Sequence, residues 1–168
     1  MDWPTVVVQW LHIFLAIFWF GGTLYSDFVI VPALSTLSIP TQREVGSAIG
    51  ARATKVIPGV AGGVILLGIL RGTVFGNIKS VADLGSPYGI TWVVALILAI
   101  ATFMWGLRVI TPAIERLNEL GDAAATRPDG KPSAQVVAAI DDLKRKIALE
   151  LVGFVLILVT MVLMRFGA

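Results

Sequence analysis

Apolar residues dominate four long stretches of the chain, and the polar residues gather between them. The stretches run from about Pro4 to Leu34, Ala51 to Phe75, Tyr88 to Ile114 and Ile147 to Phe166. Each reaches the about 20 predominantly apolar residues that a helix needs to cross a bilayer. The pattern predicts an all-α fold, an integral membrane four-helix bundle in up-down-up-down order. It forms a single domain over residues 1–168, with helices at about 4–34, 51–75, 88–120 and 134–166.

The connections differ in kind. Ser35 to Gly50 is polar, with Pro40 and a helix-start pattern at Thr41-Gln42-Arg43-Glu44. Gly76 to Gly89 is rich in turn residues, and Gly121 to Pro132 reads as an open loop around Arg127-Pro128-Asp129-Gly130. Ser133 has the character of an N-cap for the last helix. That helix opens with an amphipathic stretch, Ala134 to Lys146, before its apolar part. The third helix likewise runs past Pro112 into Glu115-Arg116-Leu117-Asn118-Glu119. The third and fourth helices are therefore expected to project from the bilayer as an antiparallel hairpin. Pro58 is expected to kink the second helix or to start its core.

Composition agrees with a membrane protein. Of the 168 residues 57% are hydrophobic and only 14% charged, against roughly 45–50% and about 25% in a soluble domain. A net charge of +2, thinly scattered, offers nothing to nucleic acid. Cysteine is absent, which excludes disulfides and thiolate metal sites. Met1-Asp2-Trp3-Pro4 lacks the basic segment of a signal peptide, so the first apolar stretch is expected to remain as a helix. The chain holds 13 lysines and arginines. Ten lie in or beside the first and third connections; only Arg71, Lys79 and Arg165 lie on the other side. This asymmetry predicts a multi-pass protein of the bacterial inner membrane, with both termini periplasmic and the hairpin cytoplasmic.

An internal repeat is visible at an offset of 80 residues. Phe28-Val29-Ile30-Val31-Pro32-Ala33-Leu34 matches Arg108-Val109-Ile110-Thr111-Pro112-Ala113-Ile114. The first and third helices would then be equivalent, with Trp92 at the position of His12.

Candidate chemistry starts at His12, the single histidine. An ionisable side chain at membrane depth is costly and marks a functional site by default. At 100° per residue, Gln9, His12, Ala16, Trp19, Thr23, Ser26 and Asp27 form one polar stripe, opposite a Phe- and Ile-rich face. His12 is thus expected to face the bundle interior. Two readings follow: a ligand to haem iron or copper or a proton-transfer group, or a neutral histidine donating to a nearby backbone carbonyl or hydroxyl. Met161, on a face of the fourth helix with Glu150, Phe154, Ile157 and Met164, would lie near the depth of His12. It is a candidate second ligand for haem iron or Cu(I) or a packing residue.

A second cluster sits near the opposite edge. Asp27, Arg52, Lys55, Arg108 and Glu150 come from different helices but similar depths. They predict interhelical ion pairs, a proton path, or a pocket in which Arg52, Lys55 and Arg108 hold haem propionates or lipid phosphates. The second helix is glycine-rich at Gly59, Gly63, Gly68, Gly72 and Gly76, which suits close helix packing or a flat macrocycle. Motifs for nucleotide binding or hydrolysis are absent from the sequence.

Leu11-His12, Trp19-Phe20-Gly21-Gly22 and Phe28 to Leu34, followed by Arg52 and Pro58-Gly59-Val60-Ala61-Gly62-Gly63, resemble the CopD-like membrane proteins. The resemblance implies a four-helix bundle tied to copper or haem b, with His12 as metal ligand. The first helix is also similar, more distantly, to that of the HemJ family, haem-binding proteins linked to protoporphyrinogen oxidation. That family adds a third-helix lysine after a tryptophan. Trp92 matches the tryptophan, but neither lysine nor histidine occurs in Val93 to Leu107, so only His12 carries over. The cofactor-site candidates are His12, Trp19, Arg52, Lys55, Arg108 and Met161. Three functions follow as expectations. One is a haem- or copper-binding membrane protein. Another is an accessory or assembly subunit of a larger respiratory or photosynthetic membrane complex or homo-oligomer. The last is a small proton-coupled transporter using Asp27, Arg108 and Glu150.

Overall fold

The computed structural model describes residues 2–124 and 133–166. Arg127-Pro128-Asp129-Gly130, the centre of the expected open loop, lies outside them. The protein is an all-α membrane bundle. Helix α1 spans Trp3–Tyr25, α2 Val31–Leu34, α3 Ile39–Gly72, α4 Pro87–Trp105, α5 Thr111–Ala124 and α6 Ala134–Phe166. Four segments are long and apolar enough to cross a membrane: Trp3–Leu34, Pro40–Gly72, Pro87–Leu120 and Ala134–Phe166.

Helix starts follow local chemistry. Prolines occupy the first turns of α1, α3 and α4, where a missing N–H costs nothing. Ser86 accepts from Gly89 N at 3.0 Å, and Ser133 Oγ accepts from Val136 N at 3.2 Å. The expected cap at Ser133 is therefore present, and the last helix keeps its expected bounds. The second membrane helix departs from expectation. It begins at Ile39 rather than near Ala51, and Pro58 lies inside it without ending it. The polar run before Ala51 continues the helix rather than leaving it, because a helix beyond the lipid can carry polar side chains on every face. For the same reason α5 continues through Gly121 to Ala124.

Two π turns interrupt the membrane helices, at Ser26–Ile30 and Gly106–Ile110. Each directly precedes an X-Pro step, Val31-Pro32 or Thr111-Pro112. A proline ring clashes with the carbonyl four residues back and supplies no N–H to it. The wider turn relieves this: Val31 N donates to Ser26 O, and Thr111 N to Gly106 O, each spanning five residues. The Thr111 hydroxyl also donates to Gly106 O, at 3.1 Å. The two irregularities are 80 residues apart, the offset of the sequence repeat.

The helices pack as two pairs, α1 on α3 and α4 on α6, joined by α3 on α4. In the middle of the bundle α1 reaches α6 through aromatic rings. Trp19 meets Phe154 edge-on with centroids 4.9 Å apart and Phe103 at 6.2 Å, while Phe20 stacks on Phe154 at 5.1 Å. Ala61 and Val64 of α3 complete this core. At the hairpin end α5 packs on α6, and Trp105 Nε1 donates to Lys146 O at 3.1 Å.

The connection from α3 to α4 is held by its own polar groups. Lys79 Nζ donates to Thr73 O and Val74 O at 2.9 and 2.8 Å, closing the end of α3. Asp83 accepts from Lys79 N and Ser80 N at 2.9 and 2.7 Å and from Ser80 Oγ at 3.0 Å. The Lys79 and Ser80 donors lower the pKa of this exposed carboxyl. A lowered folded-state pKa contributes stability above the ordinary carboxylate range, and that contribution is lost as pH falls through the folded value. An NMR titration should therefore place the Asp83 midpoint below that of a free aspartate. Asp83→Asn should speed amide exchange at Ser80 at neutral pH. An ordinary midpoint with unchanged exchange would contradict this account of the loop.

Candidate functional site

His12 and Trp19 face inward, as the polar stripe predicts; their exposures are 7% and 5%. His12 Nδ1 lies 3.0 Å from the Val64 carbonyl oxygen of α3. A carbonyl only accepts, so Nδ1 carries the hydrogen, and in the neutral ring Nε2 keeps a free lone pair. A Cβ added at Gly68 would sit 3.1 Å from His12 Cε1, so the glycine makes room for the imidazole. One turn from Val64, the Gly68 carbonyl accepts from Trp92 Nε1 at 3.2 Å. The repeat-equivalent residues His12 and Trp92 thus both donate to α3, to carbonyls one turn apart. Gly72 lies under the same indole, leaving no room for a side chain there.

The other predicted ligands do not gather around His12. Trp19 belongs to the aromatic core. Met161 is half-buried on α6. Arg52 and Lys55 are exposed on α3, and Arg108 is exposed in the second π turn. Among the described residues no group of three or more His, Cys, Asp or Glu side chains is placed to hold a metal ion. Two surface grooves lie elsewhere. One is lined by Thr5, Val6, Gln9, Trp10, Ile13 and Arg71, the other by residues between Tyr25 and Ile49.

The charged cluster is rearranged relative to expectation. Among the described residues no ion pair joins Asp27 or Glu150 to Arg52, Lys55 or Arg108; the ion pairs seen are Lys144–Asp141 and Lys146–Asp142 within α6. The reason is angular: the three cations point outward, whereas both carboxylates point into the bundle. Asp27 stands in the first π turn, and its Oδ2 is buried without a hydrogen-bond partner. Glu150 of α6 lies against the second π turn, its Oε1 2.9 Å from where a Gly106 side chain would begin. The two carboxylates are near enough for their charges to interact. The site therefore comprises two carboxyl groups and two π turns at one level of the bundle.

Sequence reasoning foresaw a carbonyl or hydroxyl acceptor for His12 but not which one, since a backbone carbonyl has no residue signature; glycine at 68 is its nearest trace. It missed the link from Arg71 Nε to Gln9 Oε1, 2.8 Å long, although Gln9 lies on the His12 stripe.

No protein-family model matches the chain, and neither a curated protein nor a solved structure matches it.

The His12 bond can be measured. His12→Phe keeps an aromatic ring and removes the donor, and should cost at least about 0.5–1.5 kcal/mol of unfolding free energy in micelles. His12→Ala should cost more, because it adds a cavity. Equal stability of both variants and the wild type would remove the bond from the account of the fold.

Proposed function

We propose that this chain is a small multi-pass membrane protein that takes up a proton or a small cation at Asp27 and Glu150, as a carrier or as the coupling subunit of a larger membrane complex or homo-oligomer. The observation that carries this is the buried, unpartnered Oδ2 of Asp27 beside a second carboxylate at membrane depth. Uncompensated charge in a low-dielectric interior is costly. Two inward carboxylates without a basic partner among the described residues are satisfied by a proton or a cation. The π turns add support, since such turns are frequent at functional sites. The lysine and arginine asymmetry supports a bacterial inner membrane location with both termini outside.

Transport in proteoliposomes tests this reading. Proton or monovalent-cation flux driven by an imposed gradient should fall at least about tenfold in Asp27→Asn and in Glu150→Gln, with helicity and gel-filtration profile retained. Wild-type flux no greater than that of empty vesicles, or flux unchanged in both variants, would reject it.

A second reading rests on a separate observation, the Nδ1–H bond to Val64. Metal-bound histidines commonly donate their second ring nitrogen to a backbone carbonyl, which fixes the tautomer and frees the other nitrogen. The resemblance to CopD-like proteins points the same way. Nε2 of His12 is a ligand type that copper accepts. Protein made with haem and copper both supplied should retain copper, and His12→Ala should lose it. Metal analysis showing no copper, with no Soret band, would end this reading.

A further inference from the structure

The end of the bundle that carries the termini holds a polar group that neither reading uses. Arg71 lies in the last turn of α3 and is half-buried. Its Nε donates to Gln9 Oε1 at 2.8 Å and its Nη1 to Phe75 O at 2.9 Å. A guanidinium has five N–H groups. These two bonds fix its plane and leave three N–H groups without an acceptor among the described residues. Nor does any described acidic side chain pair with it.

Beside it runs an open groove of about 380 Å³, lined by Thr5, Val6, Gln9, Trp10 and Ile13 of α1 together with Arg71. Val6, Gln9, Trp10 and Ile13 follow the i, i+3, i+4, i+7 spacing of one helix face. The groove therefore runs from the helix end down into the apolar span. Trp10 stacks on Phe14 with centroids 5.4 Å apart and planes within 10°, giving one wall a flat, stiff edge. Tryptophan at this depth is the usual anchor at the membrane interface.

An oriented guanidinium at the interface and an apolar channel leading inward from it match the two ends of an anionic amphiphile. Arginine pairs with phosphate through parallel N–H groups, and the apolar wall asks for a hydrocarbon chain. We propose that this groove is a binding site for one anionic phospholipid, with its phosphate on Arg71 and an acyl chain along Val6, Trp10 and Ile13. A free inorganic anion would use the arginine and leave the apolar wall without a role.

Native mass spectrometry of the full chain, released from micelles dosed with dioleoyl phosphatidylglycerol or dioleoyl phosphatidylcholine, tests the proposal. The wild type should keep one phosphatidylglycerol with at least about tenfold preference, and excess inorganic phosphate should not displace it. Arg71→Gln should bring the two lipids close to parity. Ile13→Trp, which fills the groove and leaves Arg71 in place, should weaken phosphatidylglycerol binding on its own; it guards against Arg71→Gln failing to fold. Equal retention of the two lipids by the wild type would overturn the proposal. So would a preference that survives both substitutions, or displacement by inorganic phosphate, which would make the site one for simple anions.

Discussion

A proline within a membrane-spanning helix leaves a carbonyl without its helical donor, and the two X-Pro steps at Pro32 and Pro112 shape the rest of this bundle. In the bilayer core every backbone polar group has to be bonded within the protein. At Pro32 and Pro112 the chain meets that demand by widening one turn, so that Val31 and Thr111 donate five residues back. The change in turn rotates everything beyond it. Asp27 lies within the first wide turn, and Gly106 opens the second, beneath Glu150. Each carboxylate thus stands at a widened turn, and the places of those turns are set by the two prolines.

The same demand explains α3 as the spine of the structure. His12 and Trp92 each bring an N–H into the apolar interior, and each finds an α3 carbonyl one turn from the other. Carbonyls in a helix already accept one bond but have a second lone pair. They become reachable only where the neighbouring side chain is absent. Gly68 lets the imidazole approach, and Gly72 does so for the indole. The glycines in this helix thus serve particular side chains of α1 and α4 and not only a general closeness of backbones.

Much of this architecture was legible in the chain, in proportion to how directly each feature depends on hydropathy. The last helix was readable to its bounds because Ser133 announces its start. The beginning of α3 was readable only in part: the helix-start pattern at Thr41 to Glu44 falls in its first turns, but Ser35 to Gly50 is polar and no apolar run joins that start to Ala51. The inward face of His12 followed from its stripe, whereas its acceptor, Val64 O, left no mark in the residue types. The charged cluster shows the limit most clearly. Depth can be counted along the sequence, but facing depends on rotation, and the π turns alter rotation after Asp27 and before Arg108. Residues at matching depths therefore looked like ion-pair partners, while the structure turns Arg108 outward and leaves Asp27 and Glu150 inside.

The repeat makes the asymmetry of the polar groups informative. At an offset of 80, His12 corresponds to Trp92, Trp19 to Ala99 and Asp27 to Leu107. The scaffold features recur: a π turn, the X-Pro step after it, and a donor aimed at α3. The ionisable side chains do not recur. A scaffold that only needed to pack would have no reason to keep an unpartnered carboxylate in one half, where leucine stands in the other. The partner carboxylate comes from α6, in the second half, so the pair forms across the junction of the two helix pairs. Any relative movement of those pairs would change the separation of Asp27 and Glu150 directly. The pair of inward carboxylates is thus a product of how the two halves sit against each other, which neither half could provide alone.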